Sequence, residues 1–389
     1  MTSESKPDRA DPLMEWREEF PVLSRCTYLA SHSLGAMPAS VYSQLRSYAD
    51  LWAAEGVAAW ETWLPMVNRT GDLLAKIIGA ESGEILMLQN VSLAQSIIAS
   101  CFDFSAPRNK VIYTSLNFPA VHYVWQAQKR RGARVEVIPS EDGIGVPTER
   151  IIDAIDEETL ILPLSHVYFR SAYLQDTKPI IEAAHRKGAI VVLDSYQAVG
   201  TVPIDVKDLG VDFLVGGSVK WLCGGAGAAY LYASKEVAER YQPVVTGWFS
   251  HARPFDFDMD EMEYAPGVQR FMGGTPSVPS LYTARAGYEI IREVGVDRIR
   301  EKSKRQTGRL LEGAKEMGLE LHTPTDPDRR GGSVTVNFPE AEGVHNELNR
   351  RGFIVDYRPE AGIRISPHFY TSDEEIEAVL EEIRLLRAN

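Results

Sequence analysis

AIVVLDSYQAVGTVPIDVKDLGVDFLVGGSVKWLCGGAG (189–227) is the stretch that decides the fold. It holds two short apolar runs, Ile190–Leu193 and Phe213–Val215, joined by a longer stretch of mixed character. Runs that are apolar at every position suit strands buried on both faces, and so a mostly parallel sheet covered by helices. Asp194 closes the first run, and Lys220 follows the second in a glycine-rich turn. Ligands of open α/β sheets gather at the carboxyl ends of strands, which puts these two residues on neighbouring strands at the expected site.

The same pattern extends to both sides. Ile85–Leu88, Lys110–Tyr113, Val135–Ile138, Leu160–Leu164 and Ala228–Leu231 are further short apolar runs, separated by longer amphipathic stretches. A long helix is expected near Ser280–Val294, just after Pro276 and Pro279. The tail reads as a smaller α+β layer. Ser333–Phe338, Phe353–Asp356 and Ile363–Ser366 read as strands, and His345–Arg351 as a helix. Ser372 with Glu375 forms a capping box ahead of Ile376, Val379, Leu380 and Ile383 at helical spacing. The expected organisation is an arm over 1–50 that packs on the tail, a large domain over 51–300 and a small domain over 301–389.

Bulk properties narrow the function classes. A chain of 389 residues is long for one compact core. Its formal net charge of -13 disfavours nucleic acid as a partner. No apolar run approaches the roughly 20 residues of a membrane span. The opening residues MTSESKPDRADP lack the apolar stretch of a secretory signal. Cys26, Cys101 and Cys223 show neither metal-type spacing nor a disulfide framework. The expectation is a cytoplasmic protein with no bound metal and no membrane or nucleic-acid partner.

Taken singly, Asp194 reads more readily as a helix cap, and Lys220 as a solvated surface lysine, than as functional groups. Their surroundings favour chemistry. Lys220 is flanked by small and apolar residues, and desolvation lowers an ammonium pKa and favours the nucleophilic amine needed for an imine. Asp194 then suits a protonated pyridine nitrogen, the electron sink that pyridoxal 5'-phosphate (PLP) offers a carbanion at a substrate's α-carbon. Gln197 is placed to hydrogen-bond the phenolic oxygen of that ring. Asn90, Val91 and Ser92 follow the run ILML (85–88) and open a helix, whose first amides suit the phosphate; Ser92 reads equally as a helix cap.

Eight stretches in order resemble kynureninase, within the class V aminotransferase superfamily. They are YLASHSLGAMP (28–38), SLNFPAVHYVWQAQ (115–128), SHVYFRSAYLQD (165–176), DSYQAVG (194–200), VKWLCGGAG (219–227), GWFSH (247–251), PGVQRFMGGTPS (266–277) and DYRPEAGIRISPHFY (356–370). The resemblance implies the aspartate-aminotransferase-like fold (fold type I) and PLP held by Lys220 as a Schiff base. It implies Phe118 stacked on the ring, Trp248 and Thr275 at the phosphate, and a homodimer with shared active sites. It implies Arg364 on an amino-acid substrate's α-carboxylate, with Tyr168, His32 and Ser33 also on the substrate. The alternatives are a surface salt bridge for Arg364 and core packing for Phe118 and Trp248.

The chain departs from the kynureninase pattern where proton transfer is decided. Val219 stands where those enzymes carry Tyr before the lysine, and Val121 where they carry an acidic residue. Gln197 replaces a histidine and Tyr168 an asparagine. No cysteine follows Cys223, which disfavours the persulfide chemistry of the related cysteine desulfurases; Cys223 itself reads as packing. The reading favoured is side-chain cleavage at Cβ (Cβ–Cγ or Cβ–S), with Tyr168 or Tyr196 as replacement acid. An aminotransferase or decarboxylating deaminase, or a non-catalytic binding protein on the same fold, stands as the alternative.

Overall fold

The computed structural model describes residues 11–388; residues 1–10 of the expected arm, and residue 389, lie outside it. A seven-stranded sheet runs in the order β2 (Ile85–Leu88), β8 (Ala229–Ala233), β7 (Phe213–Gly217), β6 (Ile190–Asp194), β5 (Thr159–Ser165), β3 (Lys110–Thr114) and β4 (Arg134–Ile138). The strands from β7 to β4 are parallel, and β8 is antiparallel to both its neighbours. This is the mostly parallel α/β sheet expected from the apolar runs. Every residue of β2, β3, β6, β7 and β8 is buried, as unbroken apolar sequences require. The edge strand β4 differs: Arg134 and Glu136 are exposed on one face while Val135 and Val137 on the other are partly buried, and only Ile138 at its end is fully buried.

The expected long helix spans Val278–Val294 and is followed, after Gly295, by a second helix over Val296–Glu316. A four-stranded antiparallel sheet then forms in the order β12 (Asp356–Arg358), β13 (Gly362–Ile365), β10 (Val334–Asn337) and β9 (Glu320–Leu321). It has its own apolar cluster, including Leu310, Val336, Leu348, Ile363 and Val379. The capping box forms as read: the Ser372 amide donates to Glu375 at 2.9 Å, and the Glu375 amide to Ser372 Oγ at 3.2 Å.

One expected strand divides. Phe353–Asp356 becomes β11 (Phe353–Ile354), which pairs in parallel with β1 (Thr27–Tyr28), and then β12 in the other sheet. The cause is Asn349. Its side chain accepts the Val355 amide and donates to the Val355 carbonyl, both at 3.3 Å, so neither backbone group of Val355 is left for a ladder. The switch lets the chain segment after β1 lie against β13, where Ser366 donates its amide to Leu29 at 2.7 Å. That segment, residues 31–36, reaches the carboxyl ends of β6 and β7. Gly35 makes the approach possible: a Cβ there would lie 2.1 Å from the Lys220 carbonyl oxygen.

Candidate active site

The carboxyl ends of β5, β6 and β7 open into a cavity of about 270 Å³. Asp194 ends β6, and Lys220 follows β7 in the turn; both line the cavity. Most of the remaining wall is apolar, including Val91, Phe118, Val167, Phe169 and Val219. Such a wall excludes water from the two charged groups and sets their proton affinities.

Burial raises the Asp194 carboxyl to about 6, against the hydrogen bond from the Tyr196 amide and the charge of Lys220. Burial also lowers the Lys220 ammonium to about 8; Asp194 opposes this shift, and Arg364 and Arg358 add to it. The Lys220 Nζ lies 4.6 Å from the centre of the Tyr196 ring and 5.5 Å from that of Phe118. Gly217 makes room for Tyr196, since a Cβ at 217 would sit 2.4 Å from its hydroxyl oxygen. With the cofactor removed, the rate of Lys220 modification by an amine-directed reagent is expected to rise with pH about a midpoint near 8. The free amine is the reactive form, so the sign is fixed. A midpoint at the ordinary lysine value would contradict the desolvated setting.

Asn90 caps the helix Val91–Ser100 by accepting the Leu93 amide at 2.9 Å. The cap is therefore Asn90, not Ser92. The amides of Val91 and Ser92 have no partner among the described residues, which leaves two first-turn donors at the cavity edge. Gln197 lines the cavity and is locked in place: its Nε2 donates to the His32 carbonyl at 3.1 Å, and its Oε1 accepts the Trp221 indole at 3.0 Å.

Several expected residues stand elsewhere. Tyr168 does not line the cavity; its hydroxyl donates to Gln175 at 2.9 Å and its ring stacks on Tyr173. Side chains go on alternating past the end of β5 at Ser165, through the bridge that Val167 makes with Leu174. Ser165, Val167 and Phe169 alternate onto the cavity face, so His166 and Tyr168 point the other way. Phe169, which the sequence reading passed over, was available from that alternation. Trp248 is exposed, donates to the Pro254 carbonyl and packs on Phe255 and Phe257. Thr275 is exposed too, and neither lines this cavity. Ser33 is exposed and does line it.

Arg364 is buried on β13 rather than a surface group. It is not free, however. It pairs with Asp356, directly opposite on β12, and donates to the Phe169 carbonyl at 2.6 Å. His32 sits behind this pair, with Nε2 3.0 Å from Asp356 and Nδ1 bonded to Ser366, and so it braces Asp356 instead of facing the cavity. Burial, with the nearby charge of Arg364, lowers His32 to about 3, so its ring is neutral. Burial alone would raise Asp356; the hydrogen bonds from His32 and Arg364 instead carry it well below the carboxylate range. Cys223 is buried among Trp221, Gly35 and Gly287, as its packing role required.

Comparison with known proteins agrees with this arrangement. The family model described as Aminotransferase class-V matches residues 27–379. An uncharacterized aminotransferase of Bacillus subtilis, YcbU, is 35% identical over 95% of this chain and 96% of its own length. The kynureninase of Geobacillus thermodenitrificans is 28% identical over 97% of this chain and 92% of its own. Among solved structures, the apo cysteine desulfurase of Thermococcus onnurineus NA1 matches with a TM-score of 0.87 at 22% identity, over 100% of both chains. The cystine C-S lyase C-DES, in complex with its product cysteine persulfide, matches with a TM-score of 0.85 at 20% identity, over 94% of this chain and 98% of that one. These likenesses in structure show the fold.

Proposed function

Because the chain belongs to the class V aminotransferase family, a family of PLP-dependent enzymes, we propose that it works at the α-carbon of an amino acid with Lys220 as proton carrier. The cavity suits PLP on its own chemistry. The unpartnered Val91 and Ser92 amides suit the phosphate, the Asp194 carboxylate suits the ring nitrogen, and Gln197 and Phe118 flank the space between. PLP, when bound, supplies the sink for negative charge developing at the α-carbon. Arg364 is the α-carboxylate receptor in this reading, with Asp356 and the Phe169 carbonyl fixing the plane of its guanidinium. Trp248 and Thr275, exposed on this chain, are assigned to the cavity of a second copy in a homodimer.

The observation that carries the reading is the composition of the cavity wall. Lys220 is the amine that lines it, and the positions beside it are apolar: Val219 next in sequence, and Val167 and Phe169 across. A proton shift of the aminotransferase type needs one carrier, and Lys220 Nζ, lowered to about 8, is poised to take and return a proton near neutral pH. Side-chain cleavage at Cβ needs a second donor. Tyr168 points away from the cavity, to Gln175, which disfavours it in that role. Tyr196 keeps the second reading open, since it lines the cavity and burial, with Asp194, raises its hydroxyl to about 12, so that it retains a proton at neutral pH.

Product analysis separates the two. The holoprotein is incubated with alanine and a keto acid, with S-alkyl cysteines, with kynurenine and with 3-hydroxykynurenine. Amino-group exchange is the expected result. Release of anthranilate from kynurenine is expected to be weak or absent, because a positioned acid is worth roughly 10²–10⁴-fold and Val219 supplies none. Val219→Tyr is expected to gain anthranilate release. Rapid anthranilate release by the native protein, without amino-group exchange, would overturn the preferred reading.

A further inference from the structure

In a chain of formal net charge -13, the charges of Arg364 and Arg358 reach Lys220 in this cavity, although neither side chain lines it. Arg358 and Arg170 both lie near enough to Arg364 for their charges to act on it. Arg358 and Arg364 share a single half-buried carboxylate, Asp356; Arg358 reaches it at 2.7 Å. Among the described residues Arg170 pairs only with Glu360, at 3.3 Å, and that side chain is 82% exposed. An ion pair so open to water contributes little. Against Asp356 and Glu360, three guanidinium groups leave one positive charge unmatched, and the water-exposed Glu360 pair is open to exchange, so two positions are available to an incoming molecule. The α-carboxylate of an amino acid accounts for one of them, at Arg364.

Arg170 is placed for the other. It follows Phe169, which lines the cavity, and its guanidinium carbon lies 5.6 Å from the centre of the Phe169 ring. Its carbonyl accepts the Thr335 hydroxyl at 2.6 Å, which anchors its backbone to β10. Its Nη2 has no hydrogen-bond partner among the described residues, and the side chain is 42% exposed, so that nitrogen is within reach of a ligand. Arg358 is committed to Asp356 and to the Tyr357 carbonyl, at 2.9 Å, and so is the lesser candidate. We infer that the substrate carries a second carboxylate beyond its α-carboxylate, and that Arg170 receives it at the cavity edge. A planar guanidinium with an unpaired donor is the group that distinguishes a carboxylate from a neutral amide. The inference rests on the amino-acid reading above and narrows it to acidic substrates.

The test uses the PLP-loaded protein and reads binding from the change in cofactor absorbance. L-Aspartate, L-glutamate and L-2-aminoadipate are each titrated against their own side-chain amide, with L-alanine alongside. At least one acid is expected to bind about tenfold or more tightly than its amide. Arg170→Gln, with its melting temperature checked against the native protein, is expected to bring that ratio near one, and Arg170→Lys to keep part of it. Equal binding of acid and amide in all three pairs would overturn the inference while leaving the amino-acid reading intact. A ratio that Arg170→Gln leaves unchanged would overturn the assignment to Arg170. Absorbance unmoved by every amino acid would overturn the amino-acid reading and this inference together.

Discussion

Lys220→Ala is expected to lower turnover by at least about 10³-fold while the protein keeps its fold. The size follows from what the amine does. A positioned acid or base is worth roughly 10²–10⁴-fold, and in the proposed reading one group serves in both directions of the proton shift. The cavity holds no second amine to take over: the other residues beside Lys220 are Val219, Phe118 and Tyr196. Folding is expected to survive because the fixed parts of this turn are backbone. The Gly35 amide donates to the Val219 carbonyl at 2.7 Å, and the Cys223 amide to the Lys220 carbonyl at 3.0 Å. Neither bond involves the lysine side chain. Removing a buried ammonium that burial already disfavours also costs no packing of note. Steady-state kinetics on the purified variant, with circular dichroism as the fold control, is the measurement. A variant that retained a tenth of native turnover would remove Lys220 from the chemistry.

Asp194→Ala is expected to cost roughly 10²–10⁴-fold in kcat, with a smaller change in KM. Asp194 ends β6 with one oxygen on the Tyr196 amide, and burial lifts its carboxyl to about 6. A carboxylate kept in a buried site against this penalty is stabilised by a cationic partner, and Lys220 supplies part of that now. In the proposed reading, a protonated ring nitrogen would supply the rest when the cofactor is bound. The variant leaves the Tyr196 amide without its carboxylate acceptor, at a cost of roughly 1–3 kcal/mol, which the fold is expected to withstand. Asp194→Asn keeps the shape and the Tyr196 contact without the charge, and is expected to be as slow as the alanine variant. Near-native kcat in either would rule out the role.

The parts of this account that were legible in the sequence share a physical cause. Asp194 and Lys220 sit at the ends of unbroken apolar runs, and two-face burial leaves such runs one place in a parallel sheet. The capping box at Ser372 is a local device, so local sequence suffices to read it. The side-chain assignments were less legible, because they depend on which way a residue points. Tyr168 was chosen by motif, yet counting two by two from Ser165 puts Val167 and Phe169 in the cavity and turns Tyr168 away. His32 was expected at the substrate, and it instead braces Asp356 from behind. That pairing joins residues more than three hundred positions apart, and no local pattern encodes it. The same holds for Arg364, whose partner Asp356 is set by the register of β12 against β13. The division of Phe353–Asp356 between two sheets depended on a single side chain, Asn349, reaching Val355.

The most direct measurement is reduction of the PLP-loaded protein with borohydride, followed by proteolysis and mass spectrometry of the labelled peptide. The cofactor is expected to be fixed to Lys220, on the peptide that continues WLCGGAG (221–227). Label on any other lysine, or none on a protein that binds PLP and turns over, would contradict the assignment of Lys220.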